Sequence, residues 1–229
     1  GTGDLVHVVG ADITPAAVVT NVTDRIWQFT MFGSQLLMAD WQASSGGTGG
    51  AIYSWDGDYT AVAIPLSNNR PLESASPVAQ SALSVVATPE RFAVQLGGWR
   101  PGVEKTTSDQ LGRFVAWSSQ EESNTWIPSI TNTAGDFVLS TSGTLVCGRP
   151  LRGQTLLWTT LDLWAMSYIG GEFVYSFERV GDNCGIISNR AVVTTDAAAF
   201  WMAPYGFYTY DGFVRPIPCD VQDYVFGSL

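Results

Sequence analysis

The stretch QTLLWTTLDLWAMSY, residues 154–168, decides the fold. Leu156-Leu157-Trp158-Thr159 is an apolar run of strand-forming residues. Thr160-Leu161-Asp162 is a small polar interruption, and Leu163-Trp164-Ala165-Met166 is a second apolar run. Two such runs around a short turn read as an antiparallel hairpin. The same shape recurs in SQLLMADW (34–41), LSVVATPERFAVQL (83–96) and RAVVTTDAAAFWMAP (190–204). Val85-Val86-Ala87-Thr88 and Val192-Val193-Thr194-Thr195 open hairpins that close on Phe92-Ala93-Val94 and Phe200-Trp201-Met202. Their turns are Pro89-Glu90-Arg91 and Asp196-Ala197-Ala198.

Outward from these hairpins, strand signals fill the chain. One series is Ile26–Phe32, Gln35–Asp40, Ala51–Trp55 and Tyr59–Pro65. A second is Ser84–Thr88, Phe92–Leu96, Arg113–Trp117 and Asp136–Ser140. The rest are Leu156–Thr160, Leu163–Tyr168, Phe173–Val180, Ala191–Thr195, Phe200–Pro204, Phe207–Tyr210 and Val214–Pro218. Helical periodicity is weak. The aligned hairpins lie roughly 36 to 71 residues apart, near the period of propeller blades with insertions. The expectation is an all-β, propeller-like chain of four blades, with a two-sheet β-sandwich as the alternative.

Two Asp-Gly pairs fit this plan. AIYSWDGDYTAVAIPL (51–66) and GFYTYDGFVRPIPC (206–219) both place Asp-Gly after an aromatic residue, between apolar runs. Asp-Gly in that setting is a hairpin signal, because tight primed turns need positive φ. Asp56 and Asp211 are therefore expected to shape the outer hairpins of two blades, with Trp55 and Tyr210 packed on them.

Composition narrows function. The 229 residues carry a net charge of −10, and Lys105 is the sole lysine among eleven basic residues. That balance argues against gripping a nucleic acid backbone, which needs clustered Lys and Arg. It permits a wall past which DNA slides. No apolar run reaches the roughly 20 residues of a spanning helix. The opening Gly1-Thr2-Gly3-Asp4 lacks an initiator Met and a signal pattern, and DYVFGSL ends just after an apolar run. A segment of a longer protein is expected.

Chemistry is sparse. His7 is the sole histidine, so histidine metal sites and serine or cysteine triads have little to work with. Cys147, Cys184 and Cys219 are odd in number and widely spaced, and read as free, mostly buried thiols of a reducing cytoplasm. Asp56-Gly57-Asp58 lacks the further spaced ligands of a calcium loop. GGTGG (46–50) is followed by no Lys-Ser/Thr or helix pattern, so it reads as a loop tip. The nine tryptophans follow strand period and are expected in blade cores. No catalytic, cofactor or metal residue is nominated, and the chain is expected not to be an enzyme.

SQEESNTW (119–126) resembles a degenerate Asp-box, the Ser-x-Asp-x-Gly-x-Thr-Trp turn of sialidase-type propellers. Glu121 stands for the Asp and Ser123 for the Gly. The resemblance implies a turn whose side chains satisfy backbone groups and whose Trp126 packs between blades. Ten arginines are present, but no spacing singles out a catalytic arginine triad.

A second resemblance covers roughly residues 111–226. FVAWSSQEESNTWIPSITNTAGDFVLS (114–140) is similar to a stretch of the tail hub or nozzle proteins of short-tailed bacteriophages, also called packaged-DNA stabilisation proteins. The stretches 156–193 and 200–226 look like its continuation. The most specific pieces are Phe177-Glu178 leading to Gly181-x-Asn183-Cys184-Gly185, then Trp201-Met202 before Gly206-Phe207-Tyr208 and Asp211-Gly212. The closing Pro218-Cys219-x-Val221-x-Asp223-Tyr224-Val225-Phe226 fits too. Residues 1–110 match only in strand-rich style.

The resemblance implies a propeller-like subunit of a homo-oligomeric ring, hexameric in the family, below the portal and adaptor. Such a ring extends and closes the DNA channel, and carries fibres or a needle. It resides in the virion tail after assembly in the host cytoplasm, needs no cofactor, and lets genomic DNA pass without specific binding. Two rivals remain: a carbohydrate-binding or degenerate glycosidase propeller, and a cell-surface adhesion module. The absent signal pattern and unpaired cysteines disfavour both as secreted proteins.

Overall fold

A computed structural model describes residues 25–42, 51–58, 60–66, 83–102, 111–171 and 173–227. The chain divides into two compact units, Gly1–Leu139 and Ser140–Leu229. Each holds two four-stranded antiparallel sheets.

In the first unit, one sheet runs β1 (Arg25–Phe32), β2 (Gln35–Gln42), β3 (Ile52–Trp55) and β4 (Ile64–Pro65). The next runs β5 (Ser84–Ala87), β6 (Ala93–Gly98), β7 (Leu111–Trp117) and β8 (Gly135–Val138). In the second unit the sheets are β9 (Leu145–Leu151), β10 (Gln154–Thr159), β11 (Leu163–Tyr168), β12 (Tyr175–Gly181), and β13 (Val192–Thr194), β14 (Ala199–Ala203), β15 (Gly206–Tyr210), β16 (Val214–Ile217). Every strand pairs with its neighbour in sequence. Four such meanders make an all-β chain of blade-like units, a propeller-like architecture rather than a two-sheet sandwich.

The opening hairpin forms as read, with Leu157 opposite Trp164 and Leu156 opposite Ala165. These strands are central in their sheet, and Thr155–Thr159 and Leu163–Met166 are buried on both faces. That explains the unbroken apolar runs, since a strand covered on both sides loses the alternation of a half-exposed one. The core of the second unit lies between its sheets: Leu156, Trp158 and Ala165 meet Trp201, Ala203 and Tyr210. The indoles of Trp158 and Trp201 stand edge to face, 5.7 Å apart at 69°. In the first unit Leu37, Ala39 and Ile52 meet Val85, Ala93 and Phe114.

A threonine punctuates three hairpins. The Thr159 hydroxyl accepts from the amides of Leu161 (3.0 Å) and Asp162 (2.8 Å). Thr195 does the same for Ala197 and Ala198, and Thr88 accepts from Phe92. A side-chain oxygen that satisfies turn amides removes the cost of leaving them bare.

The Asp-Gly pairs occupy equivalent places, between the third and fourth strands of the first and last sheets. The second closes a three-residue loop, Asp211-Gly212-Phe213, across the Tyr210–Val214 pair. Gly212 has φ 119°, and Arg215 reaches Asp211 at 3.3 Å. Tyr210 is buried, and its hydroxyl accepts from Gln154 Nε2 at 3.1 Å. The first pair departs from expectation: no tight turn forms, and β3 and β4 are joined by residues 56–63. Asp56 and Asp58 fold that loop upon itself, and Trp55 Nε1 donates to the carbonyls of Asp58 and Ala61. The Tyr59–Pro65 strand shrinks accordingly to Ile64–Pro65.

Two elements escaped the sequence reading. Strand β9 contains Gly148 and Pro150, which break the strand pattern, and it lies at the edge of its sheet where proline is tolerated. With β9 in place, 154–168 joins the second and third strands of its sheet, whereas 84–98 and 192–203 join first and second. The repeated hairpins are thus alike in shape but not in position. The closing apolar run forms a short helix, α1 (Gln222–Phe226), with Phe226 against Phe207.

Candidate functional site

The site is built from three turns of the first unit. The Asp-box-like stretch lies between β7 and β8. The Ser119 amide donates to the Thr125 carbonyl and the Thr125 hydroxyl to Glu122 Oε2 at 2.7 Å. Trp126 Nε1 donates to the Ser123 carbonyl at 2.6 Å, and the ring is buried among residues of both sheets. The interblade tryptophan expected from the box is therefore present. The acid is corrected: Glu122, not Glu121, takes the internal hydrogen bond.

Glu121 turns outward to the β5–β6 turn. Its amide donates to the Arg91 carbonyl at 2.9 Å, and its carboxylate meets Arg91 Nε at 2.8 Å. Arg91 and Glu121 have φ of 68° and 64°, two of the three non-glycine residues with positive φ among the described residues. A left-handed non-glycine backbone costs about 1–3 kcal/mol and persists where its surroundings impose it. The guanidinium carbon of Arg91 lies 5.7 Å from the Phe32 ring centroid, a cation–π contact that fixes its plane. The β1–β2 turn completes the enclosure, with Ser123 Oγ donating to Gln35 Oε1 at 3.0 Å.

Between these turns is a groove of about 380 Å³. Polar side chains line it throughout except for Phe32, which is itself buried beneath Arg91. Among the described residues the Nη groups of Arg91, Nε2 of Gln35 and Oγ of Ser34 have no protein partner, and one oxygen each of Glu121 and Glu122 is likewise open. Open donors and acceptors thus share one small space.

The second unit carries a different polar cluster. Asp162 is buried and its Oδ1 accepts from the hydroxyls of Thr141 (2.9 Å) and Thr159 (3.1 Å). Arg179 Nη1 lies 4.0 Å from Asp162 Oδ2, and Arg179 Nε 3.0 Å from Asp182. The hydroxyls and the guanidinium of this cluster are turned onto Asp162 and Asp182.

The remaining sequence candidates separate cleanly. His7, GGTGG and Lys105 lie outside the described residues. Asp56 and Asp58 are turn residues, and the Asp58 carboxyl is held below its ordinary pKa by the Thr60 hydroxyl and then the Thr60 amide. Among the described residues no three His, Cys, Asp or Glu side chains gather as metal ligands. No described helix is long and apolar enough to cross a membrane. Cys147 and Cys184 are buried free thiols, and burial pushes them up to about 12 and about 11. Cys219 is half-buried and free. By sequence Arg91 is a turn residue, and Ser34 and Gln35 open a strand with no mark of their own. Their convergence has no signature in spacing, because the three turns lie far apart along the chain.

No family model matches the chain, and no curated protein matches it. Among solved structures it is similar to the extracellular domain of a hybrid two-component system protein of B. thetaiotaomicron, at 13% identity and TM-score 0.49. That match covers 93% of this chain and only 25% of the other. It is also similar to YCF48 from Cyanidioschyzon merolae, at 12% identity and TM-score 0.44, covering 85% of this chain and 72% of that one. Neither likeness bears on chemistry or partners.

Proposed function

We propose that this chain is a structural subunit of the ring-forming tail nozzle, or hub, of a short-tailed bacteriophage, seated below the portal and adaptor. There it extends and closes the DNA channel. The reading rests on the string resemblance across 111–226, above all Gly181-x-Asn183-Cys184-Gly185 and the closing Pro218–Phe226 stretch. Those residues act as scaffold in the fold. Gly185 lies against the backbone of Thr160 and Leu161 where a Cβ has no room. The Cys184 carbonyl accepts from Trp201 Nε1 at 2.7 Å. Scaffold roles suit a mechanical protein, and in this reading no residue is catalytic.

The charge of −10 supports the same reading. Copies of an acidic chain around a channel repel DNA phosphates, so the genome passes without sticking. The partners would be further copies of the chain, adaptor proteins, and fibre or needle proteins. Mass photometry and negative-stain imaging of the purified chain, alone and with portal or adaptor, test the proposal. The expected result is a closed ring with an open centre. A chain that stays monomeric under all these conditions, or a monomer that hydrolyses a sialoside, would overturn it.

A further inference from the structure

We propose that the groove between the β1–β2 turn, the β5–β6 turn and the 119–126 turn is a subsite for one neutral saccharide unit. The inference goes beyond the ring reading and does not depend on it. Three observations converge on it. The groove holds unspent donors on Arg91, Gln35 and Ser34, and unspent acceptors on Glu121 and Glu122. The Arg91 guanidinium is fixed from two sides, by Glu121 at Nε and by the Phe32 ring. Arg91 and Glu121 both hold left-handed backbone, and a backbone bond joins them.

The chemistry of the lining selects the ligand. Small-molecule pockets of about 300–1,000 Å³ are mostly lined by hydrophobic and aromatic side chains with a few polar groups. This groove has about the smallest such volume and a polar lining. An inorganic anion or acidic sugar would meet one arginine but two carboxylates. A divalent cation would meet the guanidinium at close range. A neutral sugar ring presents adjacent hydroxyls that each donate and accept. It therefore satisfies both kinds of open group without adding a charge to the groove.

The test is an amide NMR titration of the chain with glucose, galactose, mannose and N-acetylglucosamine, each alone. For at least one sugar we expect saturable shifts confined to Gly33–Gln35, Arg91 and Gln120–Thr125. Ser34→Leu, which fills the groove from an exposed turn, and Glu122→Gln should each weaken binding about ten-fold, the scale of one or two hydrogen bonds. Thermal melts of both variants would establish that they fold. The inference fails if none of the four sugars gives saturable shifts there, or if affinity is unchanged in a folded Ser34→Leu. It also fails if N-acetylneuraminic acid or a neutral tripeptide amide binds as tightly as the best neutral sugar. Particle mass reads the ring separately: a ring-forming chain blind to sugars loses this inference alone.

Discussion

Trp126 is the residue on which the first unit turns. It belongs by sequence to the 119–126 turn and by packing to the core between two sheets. Its indole nitrogen ties the turn to itself through the Ser123 carbonyl. Trp126→Ala should therefore lower unfolding free energy by about 3–5 kcal/mol, the range for emptying a large aromatic site. Urea denaturation followed by far-UV circular dichroism measures it, and a loss under about 1 kcal/mol would mean the ring does not bridge the sheets. The sequence made this residue legible because Thr125-Trp126 sits at a fixed place in a local motif. It did not make Glu122 legible over Glu121. Two adjacent acids read alike, and the fold pairs Glu122 with Thr125 and Glu121, at its left-handed backbone, with Arg91.

At the scale of elements, hairpins were readable and positions within sheets were not. Leu156–Thr159 and Leu163–Met166 specify a hairpin by local pattern, whereas β9 joins its sheet despite Gly148 and Pro150. Edge placement tolerates residues that a local pattern rejects. The two Asp-Gly pairs divide the same way. Asp211-Gly212 has Val214 close behind it and closes a short loop, while Asp56-Gly57 is followed by residues that delay β4 until Ile64. Gly212 carries the testable consequence. Its φ of 119° is strained for any side chain, yet nothing lies within 4 Å of where a Cβ would stand. Gly212→Val and Gly212→Ala should therefore destabilise alike, by about 1–3 kcal/mol, because the cost is in the backbone. A thermal melt in which alanine is neutral and valine is not would instead assign the cost to crowding.

At the scale of the whole molecule, charge and fold class were visible from the start, because composition and short-range pattern report them directly. The groove was invisible. It draws on residues 32, 34, 35, 91 and 121–125, which only the packing of two sheets brings together. Global stability should also depend on alkaline pH through the second unit. Folded Cys147 and Cys184 titrate near 12 and near 11, against 9.0 for an ordinary thiol. Above pH 9 the unfolded chain releases thiol protons that the folded chain keeps, so stability falls as pH rises from 9 towards about 11. Below pH 9 this contribution is fully present. Urea midpoints across that range should fall less steeply in a Cys147→Ala, Cys184→Ala double variant than in the parent. Parallel slopes would show that the thiols are not the source.

The edge-to-face indoles of Trp158 and Trp201 have an optical consequence. Two identical chromophores 5.7 Å apart and inclined at 69° share their excited states. Their far-ultraviolet ellipticity then splits into a couplet of opposite signs, set by their mutual orientation. Both rings belong to Ser140–Leu229, so this couplet reports on that half of the chain. Its fading on heating would time the loosening of that half without any attached dye.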